Sequence, residues 1–296
     1  MPDIDMRFNK DMLVLSAPID EVLARQGVDI EKDREFLSLL EPEAVRNAYR
    51  LESVAGAQCL VSNTAGITSA RLAHVNMEER AAELAKASLS VLRSLRPQHM
   101  LAEIGPTYLP IDASSATSLK QNRDQYADAV RAFGDGEFDA VFLNGMVSLP
   151  DVQCALMGVR MVYDGPVFAS VDIDGDGNVA RRDQSIEEAV SLMAEYGASV
   201  AGFAIAAPLD AAVAAVKRAR VVWDGPLLVQ LAVRKNDPKQ GIATDENPYY
   251  CPDVMVEAAT KLRGAGVQFL RATGHATPSY TGALVAASAG FDVIGS

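Results

Sequence analysis

The sequence predicts an α/β chain folded as a single-domain (β/α)8 (TIM) barrel over residues 1–296. Two observations predict it. Eight short apolar runs alternate with longer segments of helical periodicity, the order expected of repeated βα units. Several helical segments also end at a glycine that leads straight into the next run, as at Ala55-Gly56-Ala57, Tyr196-Gly197-Ala198 and Gly264-Ala265-Gly266. A left-handed residue at that place closes a tight αβ turn. An open doubly wound sheet is the rival arrangement, but eight such units close most naturally into a barrel.

The predicted strands are Met12–Leu15, Gln58–Ser62, Met100–Ile104, Ala140–Leu143, Val167–Val171, Val200–Ile205, Leu227–Leu231 and Val267–Leu270. Their near-continuous Val, Leu, Ile, Phe and Ala content suits strands buried on both faces. Between them, Glu41–Ala55, Glu78–Leu95, Gln121–Phe133, Ser185–Tyr196, Ala207–Arg220 and Asp253–Ala265 carry apolar residues at three- and four-residue spacing. In Glu78–Leu95, for example, Ala81, Leu84, Ala85, Leu92 and Leu95 share one face, with Ser88 its single polar member, and Glu79, Arg80, Glu83 and Lys86 point away.

Composition narrows the function. The chain has 296 residues, a hydrophobic fraction of 49% and a formal net charge of −12. An acidic balance argues against nucleic acid, whose phosphates need clustered Lys and Arg. Cys59, Cys154 and Cys251 are odd in number and far apart, so they predict neither a disulfide framework nor a Cys-x-x-Cys metal pair. The polar N-terminus is unlike a signal peptide, and no run of eighteen apolar residues occurs. The expectation is a soluble, cytoplasmic protein acting on a small molecule.

A barrel collects its chemistry where the strands end. Those ends read Ser16-Ala17-Pro18-Ile19-Asp20 after the first strand, then Asn63-Thr64-Ala65-Gly66-Ile67-Thr68, Glu103 with Gly105-Pro106-Thr107-Tyr108, and Asn144-Gly145-Met146. They continue with Asp172-Ile173-Asp174-Gly175-Asp176-Gly177-Asn178, the apolar Ala206-Ala207-Pro208, Arg234-Lys235-Asn236-Asp237, and Arg271-Ala272-Thr273-Gly274-His275. His275 is the candidate acid–base residue, since imidazole titrates near neutrality. Glu103 is the second catalytic candidate, as a base or as the partner of a cationic group. Asn63, Thr64, Asn144, Asp172, Asp174 and Thr273 are candidate substrate ligands, with turn capping as the alternative for Asn63 and Thr64. Tyr249-Tyr250 in the long loop after the seventh strand read as a lid or as loop packing.

Segment 172–183 also has the EF-hand spacing of acidic groups at loop positions 1, 3, 5 and 12 with glycine at 6, which can wrap a calcium ion. Against that reading, a strand precedes it, and Asp-Gly pairs turn by themselves.

Ser38-Leu39-Leu40-Glu41-Pro42-Glu43-Ala44-Val45-Arg46, the run from Ala55 through Asn63-Thr64 to Thr68, Gly105-Pro106-Thr107, residues 264–270 and Ala276-Thr277-Pro278 resemble the homocysteine S-methyltransferases. That family includes the homocysteine-binding barrel of cobalamin-dependent methionine synthase. The likeness runs from about Met12 to about Ala287. It implies a zinc ion on three cysteine thiolates, one ending strand 6 and two ending strand 8. The metal would make a thiolate nucleophile at neutral pH. In this sequence Ile205 occupies the strand-6 position, and Thr273 and Gly274 occupy the strand-8 pair. Ser16-Ala17-Pro18 replaces an acidic-glycine turn and Asn144 an acidic residue. The expectation is therefore a methyltransferase barrel that works without zinc on another substrate, with a corrinoid on a separate partner protein as methyl carrier. A non-catalytic binding subunit on the same fold is the alternative. A lyase or aldolase-like activity on the same barrel is a third, weaker reading with little support, because no strand-end lysine offers a Schiff base and Lys235 lies beyond the seventh strand.

Overall fold

The computed structural model describes residues 3–30, 34–179, 184–235 and 244–289. Its eight strands are β1 (Leu13–Leu15), β2 (Cys59–Val61), β3 (His99–Ile104), β4 (Ala140–Met146), β5 (Val167–Ile173), β6 (Val200–Ile205), β7 (Leu227–Val233) and β8 (Phe269–Gly274). They are parallel and close in chain order, β1 pairing with β8 at Leu13↔Phe269. The predicted barrel is thus the observed one.

Among the described residues the helices are α1 (Asp20–Arg25), α2 (Leu37–Leu40), α3 (Pro42–Val54), α4 (Ser69–Leu72), α5 (Ala81–Ser94), α6 (Ala116–Ala132), α7 (Leu149–Arg160), α8 (Ile186–Glu195), α9 (Leu209–Arg220), α10 (Val254–Gly264) and α11 (Pro278–Ser288). Their starts follow from local chemistry. Ser115, Ser148 and Ser185 each cap a helix by accepting an amide, and Ser185 with Glu188 forms a full capping box. The helix-end glycines at 56, 197 and 266 have φ of +98°, +79° and +95°. No helix among the described residues is long and apolar enough to cross a membrane.

Side chains alternate across each strand. Outward residues such as Val141, Leu143, Phe203 and Ile205 form the main core with the helices. Inward residues fill the barrel from below: Leu13, Leu15, Cys59, Val61, Leu101, Phe142, Phe168, Leu228 and Phe269 make one apolar cluster. A 3-10 turn, Ile4–Arg7, plugs the bottom. Ile4 joins that cluster, and Phe8 meets Phe168 and Phe269 edge-on at 6.2 and 6.0 Å.

The strands differ from their predicted limits chiefly at the top. β4, β7 and β8 run on to Met146, Val233 and Gly274, past the predicted ends at Leu143, Leu231 and Leu270. Polar residues at inward positions (Asn144, Arg271, Thr273) interrupt the apolar signal while the backbone ladder continues.

Candidate active site

Above the apolar cluster the inward positions turn polar. Glu103 on β3, Asn144 on β4, Ser170 on β5, Gln230 on β7 and Arg271 on β8 form one hydrogen-bonded layer. Arg271 Nη1 donates to Glu103 Oε1 at 3.4 Å and to Gln230 Oε1 at 3.2 Å, and its Nε donates to the Ser16 carbonyl at 2.9 Å. Asn144 Nδ2 donates to Glu103 Oε1 at 2.5 Å, while Gln230 Nε2 donates to Asn144 Oδ1 at 2.7 Å and Ser170 Oγ at 2.8 Å. The guanidinium also lies 5.5 Å from the Phe142 ring centre. A charge pair this deep is tolerable because further hydrogen bonds satisfy it.

Local structure holds these groups in place. Glu103's amide donates to Ser62 Oγ at 2.9 Å, and its carbonyl accepts from Thr64 Oγ1 at 2.7 Å. Two hydroxyls on the β2 loop thus clamp the backbone that carries the carboxylate. The β4–β5 register shifts between Leu143 and Met146, a bulge at Asn144-Gly145 where Gly145 takes φ of +71°. Such a bulge re-aims a side chain, and Asn144 reaches both Glu103 and Gln230. Ser88, the polar member of the α5 stripe, accepts the Asn63 amide at 3.2 Å.

The layer floors a cavity of about 250 Å³ whose walls include Ala17, Asp20, Arg34, Tyr49, Asn63, Glu103, Asn144, Arg271, Thr273 and Gly274. Arg34 pairs with Asp20 across the mouth. Asn63 Nδ2 donates to the Arg34 carbonyl at 2.8 Å. Tyr49 donates to the Val61 carbonyl at 2.7 Å. Burial, then the charge of Glu103, holds the Tyr49 hydroxyl well above its ordinary range, so it acts as a neutral donor.

Behind this wall Glu52 on α3 is wholly buried. Its Oε2 accepts from the Ala17 amide at 3.0 Å and Thr281 Oγ1 at 2.7 Å. Oε1 has no partner. Burial raises its pKa from 4.5 to about 7, against the opposing pull of those hydrogen bonds and of Arg271. The folded state therefore keeps a proton that the unfolded chain releases above 4.5. This contribution to stability is complete below pH 4.5 and is lost as pH rises through 7. Glu52→Gln, which mimics the protonated form, is expected to remove up to about 3 kcal/mol of stability loss between those limits. Denaturant titrations of both proteins at pH 4.5 and 8 measure it; parallel pH profiles would contradict it.

The sequence model of the homocysteine S-methyltransferase family matches residues 15–287. The chain belongs to that family. That family is one of methyltransferases. A methionine synthase of Mycobacterium tuberculosis is 26% identical over 164 residues, which are 51% of this chain and 14% of that protein. The one from Mycobacterium leprae matches equally over 13% of its length. The chain thus corresponds to a small part of these relatives. Among solved structures, the metallated form of the homocysteine methyltransferase MmuM from Escherichia coli superposes with a TM-score of 0.77 at 16% identity, covering 94% of this chain and 96% of that one. Its apo form gives 0.72. At that identity the likeness speaks for the fold.

The family resemblance implies zinc, and the side chains here do not fit it. Ile205 is 1% exposed and packs outward among the helices. Thr273 and Gly274 do line the cavity, but they bring no thiolate. Gly274 has φ of +68°, and a Cβ there would lie 2.5 Å from the Val233 carbonyl oxygen, so a cysteine needs the β7 and β8 ends to move. Cys59 is buried inside the barrel, Cys154 on α7, and Cys251 sits in the loop before α10. Among the described residues no three His, Cys, Asp or Glu side chains gather to hold a metal.

Of the family member's predicted site residues, Glu103, Asn144, Asn63 and Thr273 meet at the cavity. Thr64 is buried and spends its hydroxyl on the Glu103 carbonyl and Ser62. Asp172 is exposed beside Gly145 on the rim. Asp174 Oδ1 accepts the amides of Asp176 and Asn178 at 3.0 and 2.9 Å, organising the turn that the Asp-Gly pairs predict. Asp183, which closes the calcium spacing, lies outside the described residues, as do Asn236 and Asp237. His275 is outside the central cavity: its ring bonds Glu21 of α1, and it lines a separate recess of about 200 Å³ with Arg25, Arg234 and Lys235. Tyr249 is buried in the core. Arg271 and Gln230 were not among the predicted ligands. Their signal was a polar residue in register with inward apolar ones, Phe269-x-Arg271 and Leu228-x-Gln230.

Proposed function

We propose that this chain is a zinc-independent methyltransferase for a small polar acceptor other than homocysteine, fed by a corrinoid carried on a separate protein. The observation that carries the reading is that Thr273 and Gly274, which the resemblance matches to the family's paired strand-8 cysteines, line an open polar cavity floored by Glu103 and Arg271. An open cavity also favours an enzyme over a binding subunit whose site has filled in. The likeness to methionine synthases is what supports the corrinoid; when bound, it would supply the methyl group.

In this reading the chain's own work is positioning and proton transfer. Asn144, Thr273 and Asn63 orient the acceptor, and Glu103, already clamped by Ser62 and Thr64, takes the proton from its O–H, N–H or S–H group. The acceptor's electron pair then attacks the methyl carbon, and the bond from methyl to donor breaks with its electrons left on the donor.

The test combines elemental analysis with a transfer assay that presents methylcobalamin, S-adenosylmethionine and S-methylmethionine as donors to homocysteine, with and without chelator. Zinc well below one per chain and no chelator-sensitive methionine formation are expected. One zinc per chain, with methionine formation lost on chelation and restored by zinc, would overturn the reading.

A further inference from the structure

We propose that the rim recess beside β7 and β8, with the apolar groove that adjoins it, forms a second binding site, for a soluble phosphate monoester carrying an apolar substituent. The site lies outside the central cavity and is independent of the methyl transfer proposed there.

Charge defines the head of this site. The recess of about 200 Å³ lies among the ends of β7 and β8, helix α1 and the start of α11. Arg25, Arg234 and Lys235 line it, and none of the three has an ion-pair partner among the described residues. Glu21 is the one carboxylate among the described lining residues, and the His275 ring meets it. The hydroxyl residues Thr277 and Ser279 complete the wall, and Thr277 caps no amide of α11. On a chain of net charge −12, such a cluster is a local reversal of sign that concentrates anions. A carboxylate has one charge and two oxygens, which would leave cations unmatched. A phosphate monoester brings about two charges and three strong acceptor oxygens, enough for charge-assisted bonds to Arg25, Arg234 and Lys235 together.

An apolar surface defines the tail. A groove of about 650 Å³ is formed by α1, α3 and α11, with Val22, Leu51, Val54, Ala55 and Pro278 in its lining. Leu51 and Val54 are 40% and 77% exposed. Arg25, Thr277 and Ser279 line both the groove and the recess, so they are the wall the two share. A phosphate seated at that wall has apolar surface beside it for its substituent. Gly282 on α11 keeps the groove open: a Cβ there would meet Ala55 alone, at 3.8 Å from its carbonyl oxygen. The phosphate belongs to a small molecule rather than a bilayer, because an anionic membrane surface repels a chain of net charge −12.

Calorimetric titration of the full-length protein with hexyl phosphate, inorganic phosphate and hexanoate tests the site. Hexyl phosphate is expected to bind at least about 10-fold tighter than either. Each buried methylene is worth roughly 4-fold, and the head calls for the dianion. Arg234→Met/Lys235→Met should weaken both phosphates by roughly 10- to 100-fold. Gly282→Leu fills the groove and should bring hexyl phosphate down to the level of inorganic phosphate, whose own binding stays unchanged. Leucine is also the better helix former at that position, and circular dichroism checks the fold of both variants. Hexanoate binding as well as hexyl phosphate, no binding of either phosphate, or no gain from the hexyl chain would overturn the proposal. So would a hexyl phosphate affinity that Gly282→Leu or the charge variant leaves untouched. Retention of the protein on phosphatidic acid vesicles would overturn it in favour of a membrane surface. The wild-type ligand series decides even where a variant does not fold.

Discussion

Arg7→Ala is expected to cost about 3–5 kcal/mol of stability, the range for removing one partner of a buried ion pair. Arg7 Nε lies 2.6 Å from Asp11 Oδ2, and both side chains are 0% exposed. Its Nη1 reaches Gln98 Oε1 at 3.1 Å and His99 Nε2 at 3.2 Å. Arginine can only donate, so His99 Nε2 is the acceptor and its Nδ1 carries the hydrogen toward Asp139, 3.2 Å away. The network pins the N-terminal turn, with Ile4 and Phe8, under the barrel. Alanine leaves the Asp11 carboxylate buried without its cation. Thermal unfolding should shift down by roughly 10 °C. Arg7→Met/Asp11→Leu, which removes both charges, should recover most of the loss. A single variant within about 1 kcal/mol of wild type would show that the network does not bolt the plug.

Glu103→Gln is expected to lower methyl transfer, with the acceptor the wild type uses, by roughly 10²- to 10⁴-fold, the range for losing a positioned proton acceptor. Glutamine keeps the shape and the Asn144 contact but cannot take a proton. His275→Ala is expected to lower the rate by less than about 10-fold, because its ring is turned toward Glu21 and away from the central cavity. Rate constants measured for both variants over a pH series separate the roles. If His275→Ala shows the larger loss, the acid–base role moves to the rim recess.

The barrel was legible because each inward or outward position needs only the right polarity. Eight apolar runs and their glycine-terminated helices state the topology locally. The strand-end loops were legible as places, and Glu103, Asn144, Asn63 and Thr273 could be picked as polar residues there. On that basis His275 read as the first acid–base candidate and Glu103 as the second. Nothing in a linear sequence says that β8 ends with its histidine bonded to α1, while Arg271, four residues earlier, points into the barrel. Arg271 was hidden by its neighbours: within Phe269-Leu270-Arg271-Ala272 it marked a strand's end, whereas its inward parity makes it the centre of the polar layer. Thr64 and Asp174 had the types of ligands, but backbone groups claim their oxygens.

The chain's sequence by itself determined the (β/α)8 barrel and the family, since each follows from residue type and order. Only the tertiary structure decided which strand-end groups face one another. The side-chain period of two, the bulge at Asn144-Gly145 and the hydroxyl clamp on Glu103 set direction and distance. A buried carboxylate beside a buried guanidinium gains its meaning from the 3.4 Å between them, a separation created by residues 168 positions apart in the chain.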